Sequence, residues 1–236
     1  MSPNPQATSR PLASPTPEPA AQRCLERATW MSGGKAPTMP AMNETPRAII
    51  VAGPNGAGKT TFVRQYLETH VGFEYLSADD IALELSPSRP ETVYVSAGKI
   101  FFRRLRGLLA VRQSFVTEVT LSSSRLGRHI AAFHDAGYEV ELVFIHLESA
   151  ELCVARVAER VRKGGHRVAP RDIRRRYGRS VTNFWTRYRA IVDGWFLMQN
   201  SFQSFSLVAY GTRESLIVED PALYDAFVRG LVDATS

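Results

Sequence analysis

From Arg47 onward, short runs of consecutive apolar residues alternate with longer stretches in which apolar positions recur every three or four residues. The first pattern is that of strands buried on both faces, and the second is that of amphipathic helices. RAIIVAG (47–53) reads as a buried strand ending in glycine, and GKTTFVRQYLETH as the helix that follows it. FEYLSADDIALELS is a short strand entering a helix that Ser77 or one of the acids can cap, with Asp80 assigned as the cap. In PETVYVSAGKIFFRRLRGLLAVRQ, the positions Val93, Ala97, Ile100, Phe101, Leu105 and Leu108 fall on one face of a long helix. SFVTEVTLSS is a third strand with its exit loop, and SRLGRHIAAFHDAGY a helix closed by Gly137. EVELVFIHLES is a fourth strand and AELCVARVAERVRK the next helix. RDIRRRYGRSVTNFWTRYRAIVDGW reads as helical throughout, SFSLVAYG and ESLIVED as a last strand or hairpin, and PALYDAFVRGLV as a terminal helix. Strands separated by helices predict an α/β fold in three layers, with a parallel central sheet of about five or six strands.

The first 45 residues break this rhythm. They hold eight of the fourteen prolines and show no apolar periodicity, so they read as a disordered tail preceding a domain over 46–236. With 236 residues and 44% apolar content, the chain supports one substantial core. No run is long and apolar enough to span a bilayer and the N-terminus lacks the pattern of a secretory leader, so a cytoplasmic protein is expected. Cys24 and Cys153 are far apart and lie outside any metal-like spacing, which predicts free thiols in a reducing compartment.

In a parallel α/β sheet, ligands bind beyond the carboxyl ends of the strands, so the residues after each strand carry the chemistry. The first strand is followed by GPNGAGKT, residues 53–60, which fits G-x-x-x-x-G-K-[ST] at every fixed position. Backbone N–H groups of Gly53, Pro54, Asn55, Gly56, Ala57, Gly58, Lys59, Thr60 and Thr61, with Pro54 contributing only its fixed φ, form the expected phosphate cradle. The Lys59 ammonium is expected on the β- and γ-phosphates, and the Thr60 hydroxyl on Mg²⁺. The second strand leads to Asp79, a candidate acceptor for the proton of an attacking hydroxyl. The third leads to Glu118, Thr120, Ser122 and Ser123, suited to hydrogen bonding with a polyhydroxylated acceptor or to outer-sphere contact with the metal. The fourth ends on His146 and Glu148 with no acidic pair, which argues against a hydrolytic motor or transporter. His146 reads as a packed strand residue.

The formal charge of +6 is not spread over the chain: twelve Lys and Arg face two Asp and Glu between Arg156 and Arg189. Arg156, Arg160 and Lys163 recur on one helix, Gly164 and Gly165 interrupt it, and Arg174, Arg175 and Arg176 open the next. Two basic helices on a glycine hinge describe a lid, roughly 156–190, that closes over a polyphosphate. The rival reading is a nucleic-acid surface of a nucleotide-dependent binding or end-processing protein, but Tyr177, Phe184, Trp185 and Tyr188 are spaced as a packing stripe rather than a stacking platform.

VAGPNGAGKTTF, SADDIA, TEVTLSS and RVAERVRKGGHRVAPRDIRRRY occur in the order and approximate spacing of the zeta-toxin family of P-loop kinases, and this chain resembles that family's chromosomal members with a GGH-containing lid over Arg47 to Asn200. The resemblance implies a P-loop fold with a helical lid and the cofactors ATP and Mg²⁺. It implies phosphorylation of the 3′-hydroxyl of a sugar nucleotide such as UDP-N-acetylglucosamine, which blocks peptidoglycan precursor synthesis, and an antitoxin protein as partner. Lys59 and Thr60 then serve phosphate and metal, Asp79 is the base, and Arg160 with Arg175 are the lid arginines on the triphosphate. Asp79, Glu118, Thr120 and the GGH histidine, His166, make the acceptor-binding set.

Overall fold

The structure, a computed structural model, describes residues 45–165, 167–201 and 204–235. The expected N-terminal tail lies outside these residues except for its last position, and so does His166.

Seven strands form one sheet: β1 (Arg47–Ala52), β2 (Glu74–Leu76), β3 (Phe115–Val119), β4 (Glu139–His146), β5 (Gly194–Ser201), β6 (Ser204–Gly211) and β7 (Leu216–Val218), in the order β2-β3-β1-β4-β5-β6-β7. The first five are mutually parallel, and β6 and β7 add an antiparallel edge. The helices are α1 (Lys59–Thr69), α2 (Ala78–Leu85), α3 (Tyr94–Ala110), α4 (Leu126–Asp135), α5 (Ala150–Arg162), α6 (Pro170–Asn183) and α7 (Pro221–Thr235).

Alternation within the strands divides the core in two. Ala48, Ile50 and Ala52 of β1, Leu142 and Phe144 of β4, and Trp195 and Leu197 of β5 face one layer with α2, α3, α4 and α7. Ile49, Val51, Val143, Ile145, Phe196 and Met198 face the other, with Phe62, Val63 and Tyr66 of α1 and Cys153 and Val157 of α5. Both faces being covered is why the strands read as unbroken apolar runs. Helix α6 serves both layers: Ile173 packs into the α1 side, Val181 into the opposite side, and Tyr177 against both.

The capping chemistry is mostly local. Gly137, at φ +75°, closes α4 as its N–H bonds to the His134 carbonyl (2.8 Å) and the Tyr138 N–H to that of Phe133 (3.0 Å), the paired bonds of a Schellman motif. Helix α2 is capped by Ser77, whose Oγ accepts from the Asp80 N–H at 3.1 Å. Asp80 therefore is not the cap; it occupies the third helical position, where its own N–H needs one. The six predicted core positions of α3 all pack against the sheet, although Pro90–Val93 form a separate 3₁₀ turn before the helix.

The largest departure from the sequence reading is after Asn183. The expected continuous helix gives way to a π-helical turn (Phe184–Tyr188), and the strand β5 begins at Gly194. Phe184, Tyr188 and Val192 keep a four-residue spacing that looks helical, yet Asp193 stops it by accepting from the Val140 N–H (2.8 Å) and contacting His134 Nε2 (2.9 Å). This ties the start of β5 to that of β4, and it raises the sheet from the expected five or six strands to seven. Phe184 is fully buried, stacked on Phe144 with centroids 4.4 Å apart and set edge-on to Trp195 at 6.0 Å. Phe184→Ala should cost about 3 to 5 kcal/mol of stability, read as a lower denaturation midpoint in urea.

Candidate active site

The chain leaves the carboxyl end of β1 in the loop Gly53–Gly58 and enters α1 at Lys59. Two glycines are required by close approach. At Gly53 (φ +145°) a Cβ would lie 2.4 Å from the Ile145 carbonyl oxygen, and at Gly58 (φ +91°) 2.4 Å from Asn200 Nδ2. Gly58 ends the loop as the N-cap of α1, so the loop and the first helical turn direct unpaired N–H groups and the positive end of the helix dipole to one place.

Lys59 folds back over this loop, its Nζ donating to the carbonyls of Gly53 (3.0 Å) and Pro54 (3.1 Å). Burial pushes the ammonium pKa below its usual value, Glu118 and Asp79 pull it back up, and Arg160 pushes it further down. Thr60 Oγ1 donates to the Glu118 carboxylate, 3.0 Å from either oxygen, and the Tyr75 hydroxyl donates to Glu118 Oε1. Burial, then the bond to Glu118, drives the Tyr75 phenol pKa upward. Asp80 is also raised, by burial and by the Glu118 and Asp79 carboxylates. Burial raises the pKa of Tyr94, at the start of α3, with Asp79 adding to the rise and Arg176 and Arg160 opposing it.

Thr120 bonds to Ser122 (Oγ1 to Oγ, 3.1 Å) in a loop anchored from the end of α6 and the π-helical turn after it: Asn183 Nδ2 donates to the Leu121 carbonyl at 2.8 Å and the Tyr188 hydroxyl to that of Ser123 at 2.7 Å. Buried Leu121 sits at φ +58°, a left-handed conformation unusual for a bulky residue, held by those bonds.

In the basic segment, Gly165 lets the chain fold onto the stem of Arg160; a Cβ there would come within 2.6 Å of Arg160 Cγ. The three arginines opening α6 diverge. Arg174 forks onto Glu151 of α5 (2.7 and 2.9 Å) and Arg175 pairs with Asp172 on its own helix (2.9 Å), both at the surface, whereas half-buried Arg176 is the one near Tyr94. Of the aromatic residues of this segment, Phe184 and Tyr188 are fully buried and Tyr177 and Trp185 are half-buried against the core, a packing stripe rather than a stacking platform. Sequence reasoning missed Tyr75 and Asn200, because their relevance depends on contacts across strands rather than on a motif.

Thr60 and Glu118 fit the needs of Mg²⁺: two adjacent hard oxygens beside a phosphate cradle, since this ion keeps most of its shell in water and phosphate. Among the described residues, no group of three or more His, Cys, Asp or Glu could hold a metal by itself.

Sheet order and the loop after β1 together define a P-loop nucleotide-binding fold. The family model described as "AAA domain" matches residues 49–182, more than half of the chain, and this protein belongs to that family. An uncharacterized protein of Haemophilus influenzae is 31% identical over 135 residues, 56% of this chain and 92% of that one. The crystal structure of the AvrRxo1-ORF1:AvrRxo1-ORF2 complex with sulphate ions is similar with a TM-score of 0.64 at 17% identity, over 88% of this chain and 71% of that one. The PezAT chromosomal toxin-antitoxin system of Streptococcus pneumoniae is similar with a TM-score of 0.59 at 18% identity, over 91% and 93% of the respective chains. At such identities the likeness is one of fold. Among the described residues no helix is long and apolar enough to cross a membrane.

His146, at the end of β4, is buried between Gln199 Oε1 (2.8 Å from Nδ1) and the Tyr177 hydroxyl (3.2 Å from Nε2), as a packed strand residue rather than a ligand. Burial lowers its pKa from 6.5 to about 4. The folded state therefore prefers the neutral ring, and the resulting stability is complete above pH 6.5 and lost as pH falls toward 4. Wild type should lose about 3 kcal/mol more than His146→Asn across that window, measured by urea denaturation at stepped pH.

Proposed function

We propose that this chain is an ATP-dependent phosphotransferase that moves the γ-phosphoryl group to a hydroxyl of a small acceptor, a sugar nucleotide of the UDP-N-acetylglucosamine class. The observation that carries the reading is that the P-loop meets acids from two other elements: Thr60 donates to the Glu118 carboxylate of β3 at 3.0 Å, and Asp79 of α2, with Arg160 of α5, acts on the Lys59 charge. A site that only stored a nucleotide would need the cradle and the lysine but not an exposed carboxylate across from them. Asp79 sits in the first turn of α2 and is exposed to solvent.

In this reading the loop N–H groups and Lys59 hold the triphosphate, and Asp79 takes the proton of the acceptor hydroxyl. The acceptor oxygen bonds to the γ-phosphorus as the bond to the β-bridging oxygen breaks, releasing ADP. Arg160, with Arg176 from the facing helix, neutralises charge on the transferred group, while Arg174 joins α5 to α6 as the two arms of the lid. Thr60 and Glu118 would hold Mg²⁺, which supplies charge neutralisation to the phosphates. In this reading Glu118, which accepts from Thr60 and Tyr75, serves the metal, and Asp79, Thr120 and His166 form the proposed acceptor set. Toxicity and an antitoxin partner follow from the family resemblance, supported by similarity in fold to one member of a toxin-antitoxin system.

The test is ADP release by purified protein with a panel of UDP-sugars, NAD and nucleosides, the product located by mass spectrometry. Asp79→Asn should lower kcat by about 10²- to 10⁴-fold while ATP still binds. Acceptor-independent turnover that survives the substitution would refute transfer to a hydroxyl.

A further inference from the structure

Asn200 lies near the end of β5, 143 residues from the P-loop in sequence, and is almost fully buried. Its Nδ2 donates to the Ala57 carbonyl at 2.7 Å, its own backbone carbonyl accepts from Arg156 Nη2 at 3.1 Å, and its Oδ1 has no hydrogen-bond partner among the described residues. The amide orientation is unambiguous, because a carbonyl oxygen accepts only and the nitrogen must face it. The same Nδ2 is what a Cβ on Gly58 would strike.

We infer that Asn200 is a positioning residue that sets the direction of the Gly58 N–H in the phosphate cradle, an inference that rests on nucleotide binding at this loop. In a trans peptide the C=O and N–H point in opposite directions, and no cis peptide is present among the described residues. Drawing the Ala57 oxygen toward β5 therefore turns the Gly58 N–H the other way, into the loop where a phosphate oxygen is bound. A free loop would have to freeze this peptide when the anion arrives; the buried amide holds it beforehand. Leaving Oδ1 unpaired in the interior is costly, and the donor's hold on Ala57 accounts for why the side chain accepts that arrangement. Arg156 fixes the strand end from the other side, so the brace links the lid helix α5, β5 and the loop.

Asn200→Asp keeps the shape and replaces the donor with an acceptor. Tripolyphosphate, ADP and ATP should each bind about tenfold or more weakly to the variant by isothermal calorimetry, with the ATP KM raised in proportion and the acceptor KM unchanged. A residue that merely stabilises the fold would leave the phosphate affinity of the folded protein untouched. Wild-type tripolyphosphate affinity in folded Asn200→Asp overturns the brace alone; wild-type protein that binds neither tripolyphosphate nor ATP overturns the nucleotide reading with it. Should the variant not fold, wild type with ¹⁵N-labelled asparagine decides: the Asn200 side-chain amide should resist hydrogen exchange, and more strongly with tripolyphosphate. Exchange at the rate of an exposed amide overturns the inference.

Discussion

The start of α1 imposes the constraint on which the rest of the site depends: its first N–H groups have no partner inside the helix, and they must be aimed at one point and kept from finding partners elsewhere. Each peptide that turns its N–H inward turns a carbonyl outward, and these carbonyls need donors of their own. Lys59 serves Gly53 and Pro54, the Ala57 N–H serves Pro54 again (3.2 Å), and Asn200 serves Ala57. The walls are as important as the bonds. The Ile145 backbone presses on Gly53, and the Cys153 carbonyl lies 3.0 Å from where a Cβ on Gly56 would be. The cradle is thus a product of β4, α5 and β5 as much as of its own glycines.

Topology delivers these walls. With β3 on one side of β1 and β4 on the other, the crevice above β1 is the point at which the chain reverses its direction of winding, and side chains from both halves of the sheet meet there. Acidic groups arrive from the β2 and β3 side, as Asp79, Asp80 and Glu118. Basic groups arrive from the β4 side, on α5 and α6. Half-buried Lys59 feels both: burial lowers its pKa, the Glu118 and Asp79 carboxylates oppose that, and Arg160 adds to it. A bound polyphosphate would take the place of the loop carbonyls around Lys59 and add anionic charge where Arg160 now crowds it, which makes the arrangement better suited to an anion than to its absence.

Much of this was legible beforehand because it is written locally. The P-loop spacing, the glycine that closes α4 and the apolar face of α3 each depend on neighbours within a turn or two, and each is found where the pattern put it, Val93 alone falling in the turn before the helix. The reading failed where local and tertiary signals conflict. Phe184, Tyr188 and Val192 are spaced as a helix face because they pack against a sheet at that interval, but the backbone leaves the helix to let Asp193 bind β4. The choice among Arg174, Arg175 and Arg176 was equally out of reach, since three adjacent arginines differ only in what lies opposite them: Glu151, Asp172 and the neighbourhood of Tyr94.

The sequence by itself determined a parallel α/β domain with a phosphate loop after its first strand, acids after its second and third, and a basic segment broken by glycines, since strand burial, helix periodicity and loop chemistry are properties of short stretches. Only the tertiary structure decided which of those residues share one field, that Glu118 is engaged by Thr60 and Tyr75, and that an asparagine near the end of β5 grips the loop. Those facts depend on strand order and on the register of side chains across the sheet, and a distance of 2.7 Å between residues 143 apart leaves no periodic trace in a chain.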